Sequence, residues 1–175
     1  MRADFVNPFL HAVLNVLRTM ANMQPQLGRA ALKQDDVARG VVTGFIDLMG
    51  EQTAGSLAIS FSKPVALDLV SRMLGERLTE IDDTVEDLIG EITNMVTGGA
   101  KRLLAERGYN FYLSQPVILS GNNGYRIQHS NRGPTILLPF QAEAGQFFVE
   151  ICFREDTPQK LPDDVAPVEE PKDPV

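Results

Sequence analysis

The stretch EITNMVTGGAKRLL, residues 91–104, places an acidic and an amide side chain three residues apart, at Glu91 and Asn94. On an α-helix, residues at this spacing are neighbours on one face. Both side chains therefore point the same way, and an amide that accepts and donates hydrogen bonds next to a carboxylate gives this face a polar pair. Such a pair by itself is typical of a solvated helix face, so its meaning depends on the elements that carry it.

A long helix is predicted around this pair. It starts at Asp82 or Asp83, with Glu86 in the first turn, and can run to Gly108 as a C-cap. At about 100° per residue, one apolar stripe must face the core. The residues of that stripe are Val85, Leu88, Ile89, Ile92, Val96, Gly99 and Leu103.

The opposite face of the helix carries Asp87, Glu91, Asn94, Gly98 and Lys101. A glycine inside a helix costs up to about 1 kcal/mol relative to alanine, so each of the two adjacent glycines needs a reason. Gly99 belongs to the apolar stripe and is expected to let another element pack closely. Gly98 lies on the polar face, where it would let an outside partner approach the helix.

The other elements predict an α+β fold, in which long helices pack on a largely antiparallel sheet. A first helix is predicted at about 8–22, with Asn7 as a cap before Pro8. A short helix, 64–75, should end at Gly75. The strand predictions are a hairpin of 36–49 with 55–62, then 115–120 and 125–129 across Asn123-Gly124, then 134–141 and 146–154.

Composition restricts the class of protein. The chain of 175 residues has 16 basic and 23 acidic residues and a net charge of −7, which argues against nucleic acid as a partner. One cysteine, no recognisable signal peptide and no apolar run of bilayer length predict a soluble cytoplasmic protein without membrane association. We expect one folded domain, 1–154, and a disordered tail, 155–175, which holds five of the eleven prolines and seven acids.

Four stretches together carry a family resemblance. DLIGEITNMVTGGAKRLL, the start FVNPFLHAVLNVLRTMANM, and the later PTILLPF and GQFFVEICF resemble the CheX-type chemotaxis phosphatases. These belong to a wider group that includes CheC and the middle domain of flagellar motor switch proteins. The resemblance covers about residues 4–154, and the acidic tail lies outside it.

The resemblance implies a phosphatase that acts on the aspartyl phosphate of a CheY-like response regulator. In that family an E-x-x-N helix does this, and its two defining positions fall on Glu91 and Asn94. An aspartyl phosphate is already reactive, so Asn94 would chiefly place a water in line with phosphorus, while Glu91 would pair with a lysine of the regulator. Asp87, Gly98 and Lys101 would contact the partner. No cofactor or metal of the chain's own is implied, because Mg²⁺ would be held by the phosphorylated partner.

The first helix departs from the CheC pattern, which has two E-x-x-N helices. The segment HAVLNVLRTMANM has no acid, and the nearest echo, Asp4-x-x-Asn7, precedes Pro8 and is interpreted as a helix cap. One site per chain is therefore predicted, as in CheX. The resemblance also implies a homodimer, formed through sheet edges after Gly108.

Two other functions stay open. One is a non-catalytic binding module of the motor switch type, against which the retention of both Glu91 and Asn94 argues. The other is a metal-dependent or nucleophilic enzyme, for which neither an H-E-x-x-H nor a G-x-S-x-G motif is present. Cys152 is expected in the core, and His11 and His129 are expected to be structural or solvent-exposed.

Overall fold

Three helices and eight strands form the structure, a computed structural model that describes residues 3–51, 53–131 and 133–155. In chain order the elements are α1 (Ala3–Ala21), β1 (Gln26–Leu27), β2 (Ala31–Leu32), β3 (Val42–Met49), β4 (Thr53–Phe61), α2 (Lys63–Leu74), α3 (Asp83–Ala105), β5 (Tyr112–Leu113), β6 (Val117–Ser120), β7 (Thr135–Ala142) and β8 (Gly145–Glu155). The predicted α+β class, an antiparallel sheet packed with helices, is confirmed.

The strands form one antiparallel sheet in the order β1-β7-β8-β4-β3-β5. Two short strands complete its edges, β2 beside β7 and β6 beside β3. The predicted hairpin is confirmed as β3 and β4, although its first strand begins only at Val42. Because side chains alternate across a strand, Leu57 and Ile59 of β4 face the helices while Ser56 and Ala58 face away from them.

The main core lies between the sheet and the three helices. It joins apolar side chains of β3, β4, β7 and β8 to the buried rows of α1, α2 and α3. Predicted short helix α2 is confirmed, and Gly75 ends it in the left-handed conformation that favours glycine, with φ 70°. The long helix α3 packs on this sheet, whose central strands are hydrogen-bonded to a neighbouring strand on each side.

A second, smaller layer on the other face of the sheet combines a small apolar cluster with buried polar side chains. Glu150 of β8 is fully buried there and accepts a hydrogen bond from the buried Lys33 ammonium. His129 lies between Glu150, 2.9 Å from its Nε2, and Ser56, whose Oγ contacts Nδ1. Both ring nitrogens of His129 thus have partners within the protein. His129 is therefore structural, as expected, and His11 is exposed.

The first helix begins earlier than predicted, at Ala3, and Pro8 lies inside it. Proline leaves the carbonyl four residues earlier without its helical partner. That carbonyl belongs to Asp4, and it accepts a hydrogen bond from Arg107 Nη1 at 2.9 Å. The cap interpretation of Asp4 and Asn7 is therefore wrong, because both residues lie within α1 and the side chain of Arg107, in the turn after α3, replaces the missing bond.

The strand predicted at 125–129 does not form. Its segment makes one isolated bridge, between Val37 and Arg126. Tyr125 and Ile127 instead pack on the outer face of the sheet in a small cluster with Phe45, and the Tyr125 hydroxyl lies 2.6 Å from Thr43 Oγ1. Burial of these side chains outweighs the hairpin preference of Asn123-Gly124.

Glu155, which the sequence assigned to the tail, is the last residue of β8 and pairs with Thr53. The rest of the predicted tail, 156–175, lies outside the described residues. Within the described ranges, none of the helices combines the length and the apolar character that a membrane span needs.

Candidate active site

Helix α3 starts where the sequence predicts. The side chain of Asp82 accepts a hydrogen bond from the Val85 backbone N–H at 3.0 Å, which satisfies one of the unpaired donors of the first turn. Asp83 and Glu86 place negative charge at the positive end of the helix dipole. The helix ends at Ala105 with Glu106 as its cap, and Gly108 terminates it as expected, with a left-handed φ of 89°. The Gly108 N–H donates to the Ala105 carbonyl and the Tyr109 N–H donates to the Leu104 carbonyl, which is the usual bonding of a glycine after a helix.

The rotation of α3 about its own axis, which decides which residues face the core, differs slightly from the predicted one. Val85, Ile89, Ile92 and Val96 are buried as expected, but Leu88, Gly99 and Leu103 are only half-buried. Their places in the core are taken by residues the sequence did not assign to it. These are Gly90, Thr93, Thr97, Ala100 and Leu104.

Two threonines can be buried because the helix satisfies their hydroxyl groups. Thr93 Oγ1 donates to the Ile89 carbonyl at 2.8 Å, and Thr97 Oγ1 donates to the Thr93 carbonyl at 2.6 Å. A buried hydroxyl without a partner is destabilising, and these bonds remove that cost. Polar residue types on this face therefore belong to the core and not to the solvated face.

Glu91 and Asn94 are both exposed on the outer face of α3. Neither side chain has a hydrogen-bond or ion-pair partner among the described residues. The helix keeps them three residues apart and on adjacent turns, so both can contact one docked molecule. A carboxylate and an amide in this arrangement can pair with a cation and orient a water.

The rest of the predicted face also points outward. Asp87 is exposed, and Lys101 is half-buried at the rim of a cleft of about 650 Å³ that Tyr112 also lines. Apart from the helix's own neighbouring backbone, a β-carbon at Gly98 would have no atom within 4 Å, whereas one at Gly99 would lie 3.3 Å from the Ala12 β-carbon of α1. The two glycines therefore differ as the sequence suggests: Gly99 permits close packing of two helices, and Gly98 leaves the outer face open.

Neighbouring elements hold α3 on both sides. On one side α1 runs antiparallel to it, and the Arg107 guanidinium lies 3.7 Å from the Asp4 carboxylate. On the other side, Glu86 accepts a hydrogen bond from Ser120 of β6 at 2.7 Å. The face that carries Glu91 and Asn94 is thus supported by the fold while its side chains stay free to meet a partner.

A nucleophilic cysteine and a metal centre, the two other kinds of site, find little support in the described residues. Burial raises the pKa of the Cys152 thiol, and its Sγ donates to Asn131 Oδ1 at 2.7 Å, so the reactive thiolate form is disfavoured at neutral pH. Among the described residues, no group of three or more His, Cys, Asp or Glu side chains could hold a metal ion.

Comparison with known proteins gives consistent matches over most of the chain. Residues 42–141 match the family described as chemotaxis phosphatase CheX. A CheC-like superfamily protein from Shewanella sp. PV-4 is 47% identical, with 88% of this chain and 99% of that one covered at a TM-score of 0.83. The CheY-P phosphatase CheX of Thermotoga maritima is 29% identical over 125 residues, which is 70% of this chain and 79% of that protein.

A third match is a complex. The crystal structure of the CheX-CheY-BeF3-Mg²⁺ complex from Borrelia burgdorferi contains a chain that is 28% identical, with 88% of this chain and 100% of that one covered at a TM-score of 0.73. That structure is a complex of CheX with CheY, BeF3 and Mg²⁺.

Proposed function

Because the chain belongs to the CheX family of chemotaxis phosphatases, we propose that it hydrolyses the aspartyl phosphate of a CheY-like response regulator. The observation that carries this proposal is the pair Glu91 and Asn94, exposed and unpartnered among the described residues on the outer face of α3. A relative named a CheY-P phosphatase and a CheX-CheY complex in the same family support the choice of substrate.

Asn94 is the catalytic residue of this proposal. Its side-chain carbonyl accepts a hydrogen bond from a water and its NH₂ group donates to the phosphoryl region, so the water is held in line with the phosphorus. The water oxygen forms a bond to phosphorus while the bond from phosphorus to the regulator's aspartate breaks. The products are the free carboxylate and dihydrogen phosphate, which carries both protons of the water. No side chain of this protein becomes covalently modified.

Glu91 anchors the partner. An exposed carboxylate on a rigid helix can form a charge-assisted hydrogen bond with a lysine ammonium of the regulator's phosphorylation site. This contact fixes the position of α3 relative to the phosphoryl group, and Asp87, Gly98 and Lys101 extend the docking face along the same helix. The magnesium ion that the reaction uses belongs to the regulator, and it neutralises charge on the phosphoryl oxygens.

The proposal is tested by following the decay of phosphorylated regulators. Each CheY-like regulator of the same genome is phosphorylated with acetyl phosphate in Mg²⁺, and loss of phosphate is timed with and without the protein. At least one regulator should lose its phosphate about 10-fold faster or more in the presence of substoichiometric protein, because a catalyst turns over. If every regulator decays at its intrinsic rate, the phosphatase function is refuted.

We also propose that the protein is a homodimer formed at the sheet edge of β5 and β6. Large apolar side chains are exposed there: Tyr112 is 75% exposed, and Met49 and Val117 are each 52% exposed. An exposed strand edge with apolar side chains favours pairing with another chain. Sedimentation equilibrium should give twice the mass of the chain, and Val117→Lys should shift the mass toward that of one chain. A single-chain mass for the unaltered protein at micromolar concentration would contradict this proposal.

A further inference from the structure

An unusually close contact joins α3 to the sheet directly beneath the candidate active site. A β-carbon at Gly44 of β3 would lie 1.8 Å from Thr93 Oγ1 and 2.9 Å from the Thr93 β-carbon. Only glycine can occupy position 44 with Thr93 in this place. A glycine inside a strand often marks such a close approach of another element.

Gly44 cannot move away to relieve the contact. It lies in the middle of β3, opposite Ile59 of β4 on one side and opposite Ile118 of β6 on the other. Its neighbours on the helix-facing side of the strand, Val42 and Ile46, are fully buried. The missing β-carbon of Gly44 therefore leaves a fixed gap in the sheet surface on which α3 packs, and we call this gap the notch at Gly44.

Thr93 is equally constrained from the helix side. It is fully buried, its hydroxyl donates to Ile89, and its carbonyl accepts from Thr97. It also lies in sequence between Glu91 and Asn94. Threonines that donate a hydrogen bond back to their own helix tend to bend it. A displacement of Thr93 by the strand at Gly44 would therefore change the orientation of Glu91 relative to Asn94.

We propose that Gly44 and Thr93 are positioning residues for the dephosphorylation reaction, an inference that rests on the proposed function. The notch at Gly44 sets the depth and roll of α3 at Thr93, and through the backbone it sets where the Asn94 amide lies relative to the docked regulator. Displacement of a catalytic group by about 1 Å can cost on the order of 10²-fold in rate. The contact therefore matters to the rate and not only to folding.

The test uses Gly44→Ala with the regulator whose decay the protein accelerates. We expect kcat for dephosphorylation to fall about 10-fold or more, while the Kd for the BeF3-activated regulator changes by less than about 3-fold, because the outer side chains are intact. The double variant Gly44→Ala with Thr93→Ala removes the hydroxyl and methyl that a β-carbon would meet, and it should recover part of kcat.

Gly90, on the same helix as Thr93, provides a matched control. A β-carbon at Gly90 would meet its nearest atom, Ile118 Cδ1, at an ordinary 3.4 Å, so Gly90→Ala should keep the wild-type kcat. If Gly44→Ala does not fold, Thr93→Ala and Thr93→Ser decide the question. Only Thr93→Ser keeps the hydroxyl, so kcat should fall for Thr93→Ala and stay close to wild type for Thr93→Ser.

Wild-type kcat per folded molecule in Gly44→Ala, or in Thr93→Ala where Gly44→Ala does not fold, would overturn the positioning role and leave a structural one. Equal losses of kcat in Thr93→Ala and Thr93→Ser would overturn it as well. Failure of the proposed function gives a different result, since no regulator would then be dephosphorylated by the unaltered protein.

Discussion

Asn94→Ala is expected to slow dephosphorylation of the cognate regulator by about 10²-fold, which corresponds to about 2.7 kcal/mol in the activation free energy. The reason is that the amide would hold the attacking water, and a methyl group cannot. Asn94 is exposed and makes no hydrogen bond with the described residues, so its removal should leave the fold intact. Single-turnover decay of the phosphorylated regulator measures the rate, and fluorescence anisotropy with the BeF3-activated regulator measures binding.

Binding distinguishes Asn94 from Glu91. Asn94→Ala should leave the Kd nearly unchanged, because the amide acts on the water more than on the partner. Glu91→Ala should lower the rate and also weaken binding, because it removes the anchor for a lysine. Asn15→Ala is the matched control, since it removes an exposed amide from the neighbouring helix α1 and should change neither quantity.

A wild-type rate for Asn94→Ala would refute the phosphatase mechanism. If that variant and the unaltered protein both bound the regulator and neither accelerated its decay, the alternative of a non-catalytic binding module of the motor switch type would take its place. The choice depends on this experiment because a fold can carry either function, and only the groups on its surface decide between them.

The outward direction of Glu91 and Asn94 could be predicted from the sequence because the period of a helix is fixed. Four strongly apolar residues, from Val85 to Val96, determine the buried side to within a fraction of a turn, and the opposite side follows. The N-terminal boundary could be predicted because the cap is local: Asp82 bonds to Val85, three residues away.

The exact roll of α3 could not be predicted, because it depends on partners remote in sequence. Thr93 is buried only because Gly44, on a strand of the sheet, leaves room for it, and its residue type alone suggests exposure. Likewise, α1 extends through Pro8 because Arg107 bonds to the Asp4 carbonyl. In each case the tertiary structure supplies a contact that local preference does not contain.

The segment 125–129 illustrates the same limit for strands. Asn123-Gly124 is a strong hairpin signal, and Gly124 does adopt a positive φ of 83°. The residues that follow are nevertheless used to cover the outer face of the sheet, where Ile127 is buried against Phe45 and Ala58. A turn can thus be predicted correctly while the pairing of the chain beyond it depends on which apolar surface needs cover.

Gly98→Leu is expected to weaken binding of the BeF3-activated regulator by about 10²-fold, about 2.7 kcal/mol, while the domain stays at least as stable as wild type. Apart from the helix's own neighbouring backbone, no atom lies within 4 Å of a β-carbon at this position, so a side chain there is directed into the space a docked partner would occupy. Leucine also favours the helix over glycine by about 1 kcal/mol, so the melting temperature should not fall.

Glu106→Leu adds the same side chain to an exposed position about 12 Å further along the helix and should leave binding unchanged. At Gly99 the Ala12 β-carbon is only 3.3 Å away, so Gly99→Leu should instead lower the melting temperature. Full affinity in a folded Gly98→Leu variant would mean that the regulator docks elsewhere, whatever Asn94→Ala does to the rate.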